Sequence, residues 1–267
     1  MRGYTLPSGK IQISFSGGRT SAYMLHQILA VNGVLDTDRV QVVFSNTGRE
    51  MPETLDFVQE CSNRWDVPIT WVEDADRIAG QPIFNVVSHN SASRDGKPFS
   101  DLIVRKSAVP NQAQRFCTEH LKILPARRYL MSLGWKQWRN ALGIRADEAH
   151  RKKSSPDKRV ERWFPLEDVT KVMVNSFWQK MPFDLKIEAG FGNCDGCFLK
   201  SEASLAALTR LHPERAAWWQ QQEDASGHLF RNNYSRDELT SMVKRQGDWI
   251  FDTDGALCQQ NDGECTG

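Results

Sequence analysis

A short run of small and hydroxyl-bearing residues near the start of the chain has the composition of a phosphate-binding loop. Its sequence is Ser16-Gly17-Gly18-Arg19-Thr20-Ser21, and it separates an alternating apolar segment from a segment with helical periodicity. Glycines let backbone N–H groups approach phosphate oxygens, hydroxyls donate hydrogen bonds, and an arginine neutralises charge. The pattern differs from Gly-x-x-x-x-Gly-Lys-Ser/Thr and from Gly-x-Gly-x-x-Gly, which disfavours P-loop NTPases and dinucleotide dehydrogenases. An ordinary turn is the alternative interpretation.

Three cysteines have the types of neighbour and spacing expected of one metal or redox centre. Cys194 and Cys197 are separated by Asp-Gly in a predicted tight turn, which suits a metal site or a redox pair. Cys117 precedes a predicted basic helix, where the helix dipole and Arg115 would lower its pKa and favour the thiolate. We therefore predict Cys117 as the third ligand, and Cys61 as a thiol of the core.

Two cysteines near the C-terminus leave a second interpretation open. Together with Cys194 and Cys197, the thiolates of Cys258 and Cys265 could form a closed four-thiolate zinc site. Such a zinc ion would fix the acidic C-terminal region to the core and would be structural only.

The elements that must position these residues alternate between strand and helix. Strands are predicted at 10–15, 40–45, 68–72 and 137–142, and helices at 22–31, 52–65, 118–133, 202–209 and 213–222. This alternation predicts an α/β fold, a Rossmann-like parallel sheet wrapped by helices, with a smaller helical and loop-rich C-terminal region.

Two segments between these elements have no clear periodicity. Residues 81–111 form too long a connection for a compact domain, so we predict a mobile lid or substrate loop. Residues 151–159 are predicted as a second flexible segment. We expect two units: a nucleotide-binding α/β domain over 1–182 and a Cys-containing helical region over 183–267.

The composition of the 267-residue chain excludes fibrous and wholly disordered proteins, since 40% of residues are hydrophobic and 25% are charged. The net charge is +1, which indicates no particular partner. No apolar run reaches the roughly 18 residues of a membrane helix, and the N-terminus lacks a secretory signal. We expect a cytoplasmic protein without membrane contact, whose cysteines are thiols or ligands and not disulfides.

The charge is nevertheless unevenly distributed. Residues 115–162 carry 13 Lys or Arg against 5 Asp or Glu, whereas residues 218–267 carry 4 against 9. The basic segment is either a solvated face or a surface for a nucleotide or nucleic acid.

Four segments resemble, in order, those of a known family. Residues 14–21 resemble the pyrophosphate loop (PP-loop) of the adenine nucleotide α-hydrolase superfamily, in which Ser-Gly-Gly-x-Asp-Ser is common; Thr20 replaces that Asp. With residues 46–54, 143–148 and 192–197, the chain resembles the phosphoadenosine phosphosulfate (PAPS) reductase family within that superfamily. The resemblance spans most of residues 10 to 200, and it indicates a superfamily more firmly than an activity.

The resemblance implies a set of residues that bind an adenine nucleotide. They are Ser14, Ser16, Gly17, Gly18, Arg19, Thr20, Ser21, Asn46, Thr47, Gly48, Gly143 and Arg145. Arg19 and Arg145 are the implied catalytic residues, which offset charge on phosphate, and Asn46 and Thr47 are expected near adenine or ribose. Asn46-Thr47-Gly48 could instead be a strand-ending turn, and Arg145 a surface arginine.

The cysteine pattern resembles the [4Fe–4S] ligands of sulfonucleotide reductases and related sulfur-inserting enzymes. Those reductases carry adjacent Cys-Cys at the first position, whereas Phe116 precedes Cys117 here. One coordination position is therefore unassigned, as at the open iron that binds sulfide in nucleobase thiolases. The terminal Gly-Glu-Cys265-Thr-Gly also resembles the reductase tail Glu-Cys-Gly-Leu-His, whose cysteine is the nucleophile that thioredoxin releases.

These features together predict an enzyme that uses ATP and Mg²⁺, adenylylates a substrate and inserts sulfur with a [4Fe–4S] cluster and a sulfur donor protein. The predicted acceptor is tRNA or DNA, because the basic segment contains aromatic residues that could stack on bases or belong to the core. They are Tyr129, Trp135, Trp138 and Trp163. The alternatives are a thioredoxin-dependent PAPS reductase and a non-catalytic nucleotide-binding protein with structural zinc.

Overall fold

The computed structural model describes residues 2–80 and 83–246, in which six strands form one sheet. The strands are β1 Ile11–Phe15, β2 Val40–Ser45, β3 Ile69–Asp74, β4 Phe84–Val87, β5 Trp138–Ala141 and β6 Val160–Trp163. Their order across the sheet is β4-β3-β2-β1-β5-β6. Every neighbouring pair is parallel except β3 with β4, which is antiparallel.

Helices flank the sheet and continue beyond it. They are α1 Arg19–Asn32, α2 Pro52–Arg64, α3 Lys97–Lys106, a π-helix Thr118–Ile123, α4 Leu124–Ser132, α5 Lys171–Trp178, α6 Glu202–Leu211, α7 Pro213–Ser226 and α8 Arg236–Gln246. Within the described residues, none of these helices has the length and apolar character needed to cross a bilayer.

The two faces of the sheet differ in chemistry because side chains alternate along each strand. In β1, Ile11, Ile13 and Phe15 are almost completely buried in the main hydrophobic core, which also contains buried residues of α1, α2 and α5. Gln12 and Ser14 alternate with them and line a cavity beside α4. One face of the sheet therefore packs on the main core, and the other combines polar side chains with a smaller hydrophobic cluster that includes Val43, Val72 and Trp138.

A second hydrophobic cluster joins the C-terminal helices to earlier parts of the chain. Trp219 of α7 packs edge-to-face against Phe99 of α3 and Phe230, and the same cluster includes Met51 and Leu121. Conversely, the main core includes Leu185, which lies in the predicted C-terminal unit 183–267. The domain boundary at residue 182 stays a prediction.

The α/β fold with a largely parallel sheet wrapped by helices is confirmed, with one correction to the predicted lid. In the described part of 81–111, β4 adds an antiparallel edge strand and α3 forms a helix. Phe99, Leu102 and Ile103 give α3 a short buried face. The prediction of an aperiodic lid is wrong there because a ten-residue helix offers few turns in which to recognise periodicity.

The predicted helix over 118–133 is also corrected, since it begins as a π-helix and changes register before α4. Pro125 has no N–H to donate, so it cannot continue the preceding α-helical ladder. The Leu124 N–H bonds instead to the Glu119 carbonyl, five residues earlier. Single-turn π segments of this kind occur frequently at functional sites.

Two further expectations concern segments near the ends of the predicted domain. Residues 151–159 are held by Asp157, whose carboxylate accepts hydrogen bonds from Arg127 at 3.0 Å and from Arg159 at 3.0 Å. The expected loop-rich tail contains α8. Cys258 and Cys265, with the zinc site and tail nucleophile predicted on them, lie outside the described residues.

Candidate functional site

A cavity of about 410 Å³ lies on the face of the sheet opposite the main core, at the carboxyl ends of its central strands. Ser14 and Ser16 line it from β1 and the following loop, Ser45 from the end of β2, and Gly143 from the loop after β5. On either side of β1 the strand order runs in opposite directions. Open α/β sheets bind ligands at this kind of switch point, so we call this space the nucleotide cavity.

The loop between β1 and α1 has a preorganised shape. The Ser21 hydroxyl accepts from the Ser16 N–H at 3.1 Å and donates to the Gly18 carbonyl at 2.9 Å. Gly17 has φ +79°, and a Cβ there would lie 2.7 Å from a methyl group of Thr54. Gly18 caps α1 without any side-chain hydrogen bond, so the first turn of α1 keeps backbone donors for an anion.

The two predicted catalytic arginines have different environments, and Arg19 is engaged in an ion pair. Its guanidinium donates to both carboxylate oxygens of Asp184, at 2.7 and 2.8 Å, and to the Leu185 carbonyl at 3.0 Å. The charge of Arg19 is therefore already balanced by a carboxylate. Its bidentate pair ties the loop to the segment after α5.

Arg145 is 1% exposed, so the alternative interpretation as a surface arginine is wrong. Its Nη1 donates to the Thr20 hydroxyl at 2.8 Å, and its Nη2 lies 3.1 Å from the Asp147 carboxylate and 3.5 Å from that of Glu148. Arg145 thus contacts the loop at Thr20, which replaces the Asp of the common Ser-Gly-Gly-x-Asp-Ser motif.

Asn46 and Thr47, at the end of β2, are not part of the lining of the nucleotide cavity, and Thr47 lines the small cavity that contains the cysteines. The Asn46 amide donates to Glu73 and to the Ser93 carbonyl, and burial raises the pKa of Glu73. The Thr47 hydroxyl lies 2.9 Å from a Glu50 oxygen.

The third residue of this motif, Gly48, lies against the backbone of Gly96. A Cβ added to Gly48 would lie 3.0 Å from the Gly96 Cα, and φ at Gly48 is +79°. The predicted nucleotide contacts of residues 46–48 stay predictions.

The three predicted ligands Cys117, Cys194 and Cys197 line one small cavity of about 40 Å³, the cysteine pocket. Burial raises the pKa of Cys117 to about 11 and also raises that of Cys194. The predicted lowering at Cys117 is wrong because burial outweighs the effect of Lys122 and Arg115. Across 2–80 and 83–246, no three His, Cys, Asp or Glu side chains are arranged as a metal site, so the ligand roles stay predictions.

Asp195 and Gly196, between two of these cysteines, have structural functions that the sequence pattern did not reveal. The buried Asp195 carboxylate accepts from Arg49 at 2.7 Å and from the Trp219 indole at 2.7 Å. Gly196 packs directly on the Trp219 ring, where a Cβ would overlap the indole nitrogen. The turn between Cys194 and Cys197 is therefore fixed against α7. The need for Asp and Gly at its centre comes from contacts with Arg49 and Trp219, which are distant in the sequence.

Lys122 and Asn193 line both the nucleotide cavity and the cysteine pocket. Asn193 is 4% exposed and has φ +56°, which few residues other than glycine adopt. Its Oδ1 accepts from Lys122 Nζ at 3.1 Å, while its Nδ2 has no partner within the described chain. Because an ammonium group only donates, this contact fixes which end of the amide is oxygen. Sequence reasoning missed both residues, although Asn193 directly precedes Cys194.

The nucleotide cavity also has an apolar wall, to which Val43, Leu124 and Trp138 contribute. Trp135 and Trp138 are 5% and 4% exposed and belong to one hydrophobic cluster, which favours the core over the stacking interpretation for these two residues. The Trp138 indole donates to Gln12 at 3.0 Å, and Tyr129 and Trp163 are half-buried.

Charged side chains of both signs line the cavity. The carboxylates are Glu50, Glu119 and Asp157, and the cations are Lys122, Arg127 and Arg162. Hydrogen bonds from Arg159 lower the pKa of Asp157 to about 2, so this carboxylate is ionised at neutral pH. The cavity thus offers hard oxygen ligands beside cations, as a metal–phosphate complex requires.

The model of the phosphoadenosine phosphosulfate reductase domain matches residues 10–186. Among curated relatives, the uncharacterized nin region protein ORF290 of Escherichia phage lambda is 36% identical over 195 residues, 71% of this chain and 66% of the phage protein. An uncharacterized protein of Methanocaldococcus jannaschii is 21% identical over 225 residues, 80% of this chain and 41% of that protein. The chain thus spans less than two thirds of the length of these relatives.

Two solved structures resemble the chain at low sequence identity. A PAPS reductase from Candida auris in a phosphate complex has a TM-score of 0.42 and 16% identity, and covers 67% of this chain and 76% of its own. The U34-tRNA thiolase NcsA from Methanococcus maripaludis, with its [4Fe–4S] cluster, has a TM-score of 0.42 and 15% identity. The match covers 92% of this chain and 84% of the thiolase.

Proposed function

Because the chain belongs to the phosphoadenosine phosphosulfate reductase family of the adenine nucleotide α-hydrolase superfamily, we propose that it is an ATP pyrophosphatase-type enzyme that prepares a substrate for sulfur insertion. In this reaction an oxygen of the substrate attacks the α-phosphorus of ATP, the bond to the β-phosphate breaks, and pyrophosphate leaves. Sulfur then bonds to the substrate atom that carried the oxygen, and AMP leaves with that oxygen.

The observation that carries the proposal is the position of the nucleotide cavity. It lies beside the uncapped first turn of α1 and is lined by Ser14, Ser16 and Gly143. In this proposal the nucleoside occupies the cavity, and its phosphates bind backbone donors at the start of α1. In the same proposal, residues 16–21 surround the phosphates.

Arg145 would act mainly as a positioning residue in this arrangement. It holds the Thr20 hydroxyl at 2.8 Å, and Asp147 and Glu148 hold the guanidinium in turn. The buried positive charge would also offset negative charge that develops on the phosphates. Mg²⁺ would bind the phosphates together with a carboxylate of the cavity lining such as Glu119, and would neutralise the leaving pyrophosphate.

The cysteine pocket would supply the sulfur chemistry. Thiolate sulfur is the donor that iron–sulfur clusters require, and the pocket contains three cysteines, so these residues fit a [4Fe–4S] cluster in donor type. When bound, the cluster would hold or activate the incoming sulfur that a donor protein delivers. We also propose that Cys194 and Cys197 belong to a C-terminal unit over 183–267, that residues 1–182 form the nucleotide-binding unit, and that the protein works in the reducing cytoplasm.

Lys122 and Asn193 would contact the substrate where the two cavities share their walls. The Asn193 amide has an unused buried donor, which is costly unless a ligand accepts from it. A substrate oxygen at this position would lie between the nucleotide cavity and the cysteines. Its bond to the α-phosphorus would form on one side, and sulfur would arrive from the other.

The proposed acceptor is a nucleic acid, tRNA or DNA. The support is the basic segment 115–162, which contributes Lys122, Arg127 and Arg162 to the rim of the nucleotide cavity. Cations in this arrangement suit a phosphate backbone, while the activated base would enter the cavity.

The direct test is pyrophosphate release from ATP by anaerobically purified protein, with and without bulk tRNA or DNA. We expect release that depends on the nucleic acid and falls in Asn193→Gly, which removes the amide but suits the left-handed backbone. Melting temperatures of the two proteins should agree to within a few degrees, which would separate loss of the amide from loss of the fold. No release under any condition, with one zinc per chain, would favour a non-catalytic nucleotide-binding protein.

A thioredoxin-dependent sulfonucleotide reductase is the second candidate, and the name of the matched family favours it. Its nucleophile would be Cys265, which lies outside the described residues. Sulfite release from PAPS that requires thioredoxin and disappears in Cys265→Ser would support the reductase and contradict the thiolation proposal.

A further inference from the structure

A second cavity, of about 340 Å³, lies outside the candidate site, next to the carboxyl end of β3. We call it the basic pocket. Its lining contains one carboxylate, Asp74, and four cations, which are Arg77, Arg105, Lys106 and Arg128. It shares none of its lining with the nucleotide cavity or the cysteine pocket.

The one carboxylate in the lining is already engaged. Asp74, whose side chain is 2% exposed, forms ion pairs with Arg105 and, at 3.3 Å, with Arg128. Within the described part of the chain, Arg77 and Lys106 form no ion pair, and both are exposed. These two cations therefore remain available to a ligand.

The neighbouring side chains show that the pocket is electropositive. His120 also lines the pocket; burial is the main cause of its lowered pKa, and repulsion from Lys106 and Arg105 adds to it against the opposite effect of Glu119 and Asp74. The Lys106 ammonium lies 5.9 Å from the Phe116 ring centre and keeps its hydrogen-bond donors. A cleft lined by one sign of charge concentrates its field and attracts anions of the opposite sign.

The π-helix Thr118–Ile123 connects the basic pocket to the candidate site. His120 faces the basic pocket, Leu121 lines the cysteine pocket, and Glu119 lines the nucleotide cavity. One helix is roughly 10 Å across, so a ligand in the basic pocket would lie about that far from the reacting groups. A small nucleotide in the nucleotide cavity could not occupy both places, whereas a polymer could.

We propose that the basic pocket binds a backbone phosphate of the polynucleotide acceptor, with Arg77 and Lys106 as its direct ligands. This inference rests on the proposed function for the identity of the polymer. A guanidinium presents a planar pair of donors that matches two phosphate oxygens, and an ammonium adds a point charge. Arg105 and Arg128, held by Asp74, complete the positive field without leaving their ion pairs.

The test uses a fluorescein-labelled oligoribonucleotide and fluorescence anisotropy over a range of salt concentrations. The site variant is Arg77→Gln/Lys106→Gln, and the matched control is Lys180→Gln/Lys244→Gln, which removes two exposed cations that lie after α5 and in α8, outside the basic segment 115–162. Each lost contact to a single strand lowers the dependence of log K on log salt by about 0.7. We expect a decrease of about 1.4 in the site variant and no decrease in the control.

Equal slopes in wild type and site variant, or an equal decrease in the control, would overturn the proposal. Competition by inorganic phosphate as effective as by unlabelled oligonucleotide would also overturn it, since the site would then bind free phosphate. ATP binding by the site variant should equal that of wild type. If wild type released no pyrophosphate but the slopes still differed as expected, the proposed reaction would fail while the phosphate site stood.

Discussion

The hydroxyl of Thr47 lies 3.3 Å from the sulfur of Cys194, a residue 147 positions later in the chain. The same buried hydroxyl lies 2.9 Å from the Glu50 carboxylate, which lines the nucleotide cavity. A residue at the end of a central strand thus links the cysteine pocket to the nucleotide cavity. The sequence predicts residues 46–48 either as nucleotide-binding residues or as a strand-ending turn, and neither interpretation includes a contact with a cysteine.

Replacement of Thr47 by Val should destabilise the fold. Valine has a similar shape but no hydroxyl, so the 3%-exposed Glu50 loses a hydrogen-bond donor. The expected loss is about 1–3 kcal/mol in the free energy of unfolding, measured in urea. Thr47→Ser keeps the hydroxyl and should lose clearly less, and equal losses in the two variants would show that the hydroxyl is unimportant.

Replacement of Arg145 by Lys should weaken ATP binding by about tenfold, or about 1.4 kcal/mol. A lysine keeps the charge but cannot hold Thr20 and Asp147 at once in the planar geometry of the guanidinium. Isothermal titration calorimetry gives the affinity. Arg139→Lys is the control, because its pair with Glu161 is solvent-exposed and should change little. Unchanged affinity in Arg145→Lys would remove this residue from the phosphate site.

Iron content should distinguish the pocket cysteines from the core cysteine. After anaerobic purification, Cys117→Ala should lose iron and acid-labile sulfide, because Cys117 lines the cysteine pocket. Cys61→Ala should keep both, since Cys61 lies in the main hydrophobic core. Iron that survives in Cys117→Ala, or zinc in place of iron in wild type, would contradict the proposed cluster.

His26 should make the stability of the protein depend on pH. Burial lowers its pKa, and its ring packs against Trp65 and Phe177 with centroids 5.4 and 4.9 Å away. The folded state therefore binds this proton less readily than the unfolded state, so the contribution is complete above about pH 6.5 and is lost as the pH falls from there through the lowered pKa of the folded state.

The measurement is the free energy of unfolding of wild type and His26→Phe at about pH 8 and about pH 5. Phenylalanine keeps the ring contacts and cannot be protonated, so the variant should lose less stability than wild type between the two pH values. A loss as large in the variant as in wild type would assign the pH dependence to other groups.

The elements with strong local patterns could be predicted from the sequence, and those determined by distant contacts could not. Alternation in Ile11–Phe15 and Val40–Ser45 is a local property, so both strands were located to within about one residue. The short α3 and the π-helix before Pro125 depend on packing and on the loss of one backbone donor. Local pattern alone therefore favoured a lid and a continuous helix.

The candidate site shows the same division. The loop at Ser16–Ser21 and the Cys194-x-x-Cys197 spacing are visible in the sequence, and their residues line or adjoin the two cavities. The ion pair of Arg19 with Asp184 joins residues 165 positions apart, and no local pattern indicates it. The burial that raises the pKa of Cys117 likewise comes from the folded chain and opposes the effect of the helix start.

A crystal structure with ATP and Mg²⁺ would test the claim that the cavity at the carboxyl ends of β1, β2 and β5 holds an adenine nucleotide. We expect the nucleoside in the cavity beside Ser14 and Gly143, with the phosphates at the first turn of α1 and near Thr20. Density for ATP at any other place, with the β1–α1 loop in contact with no phosphate, would contradict the claim.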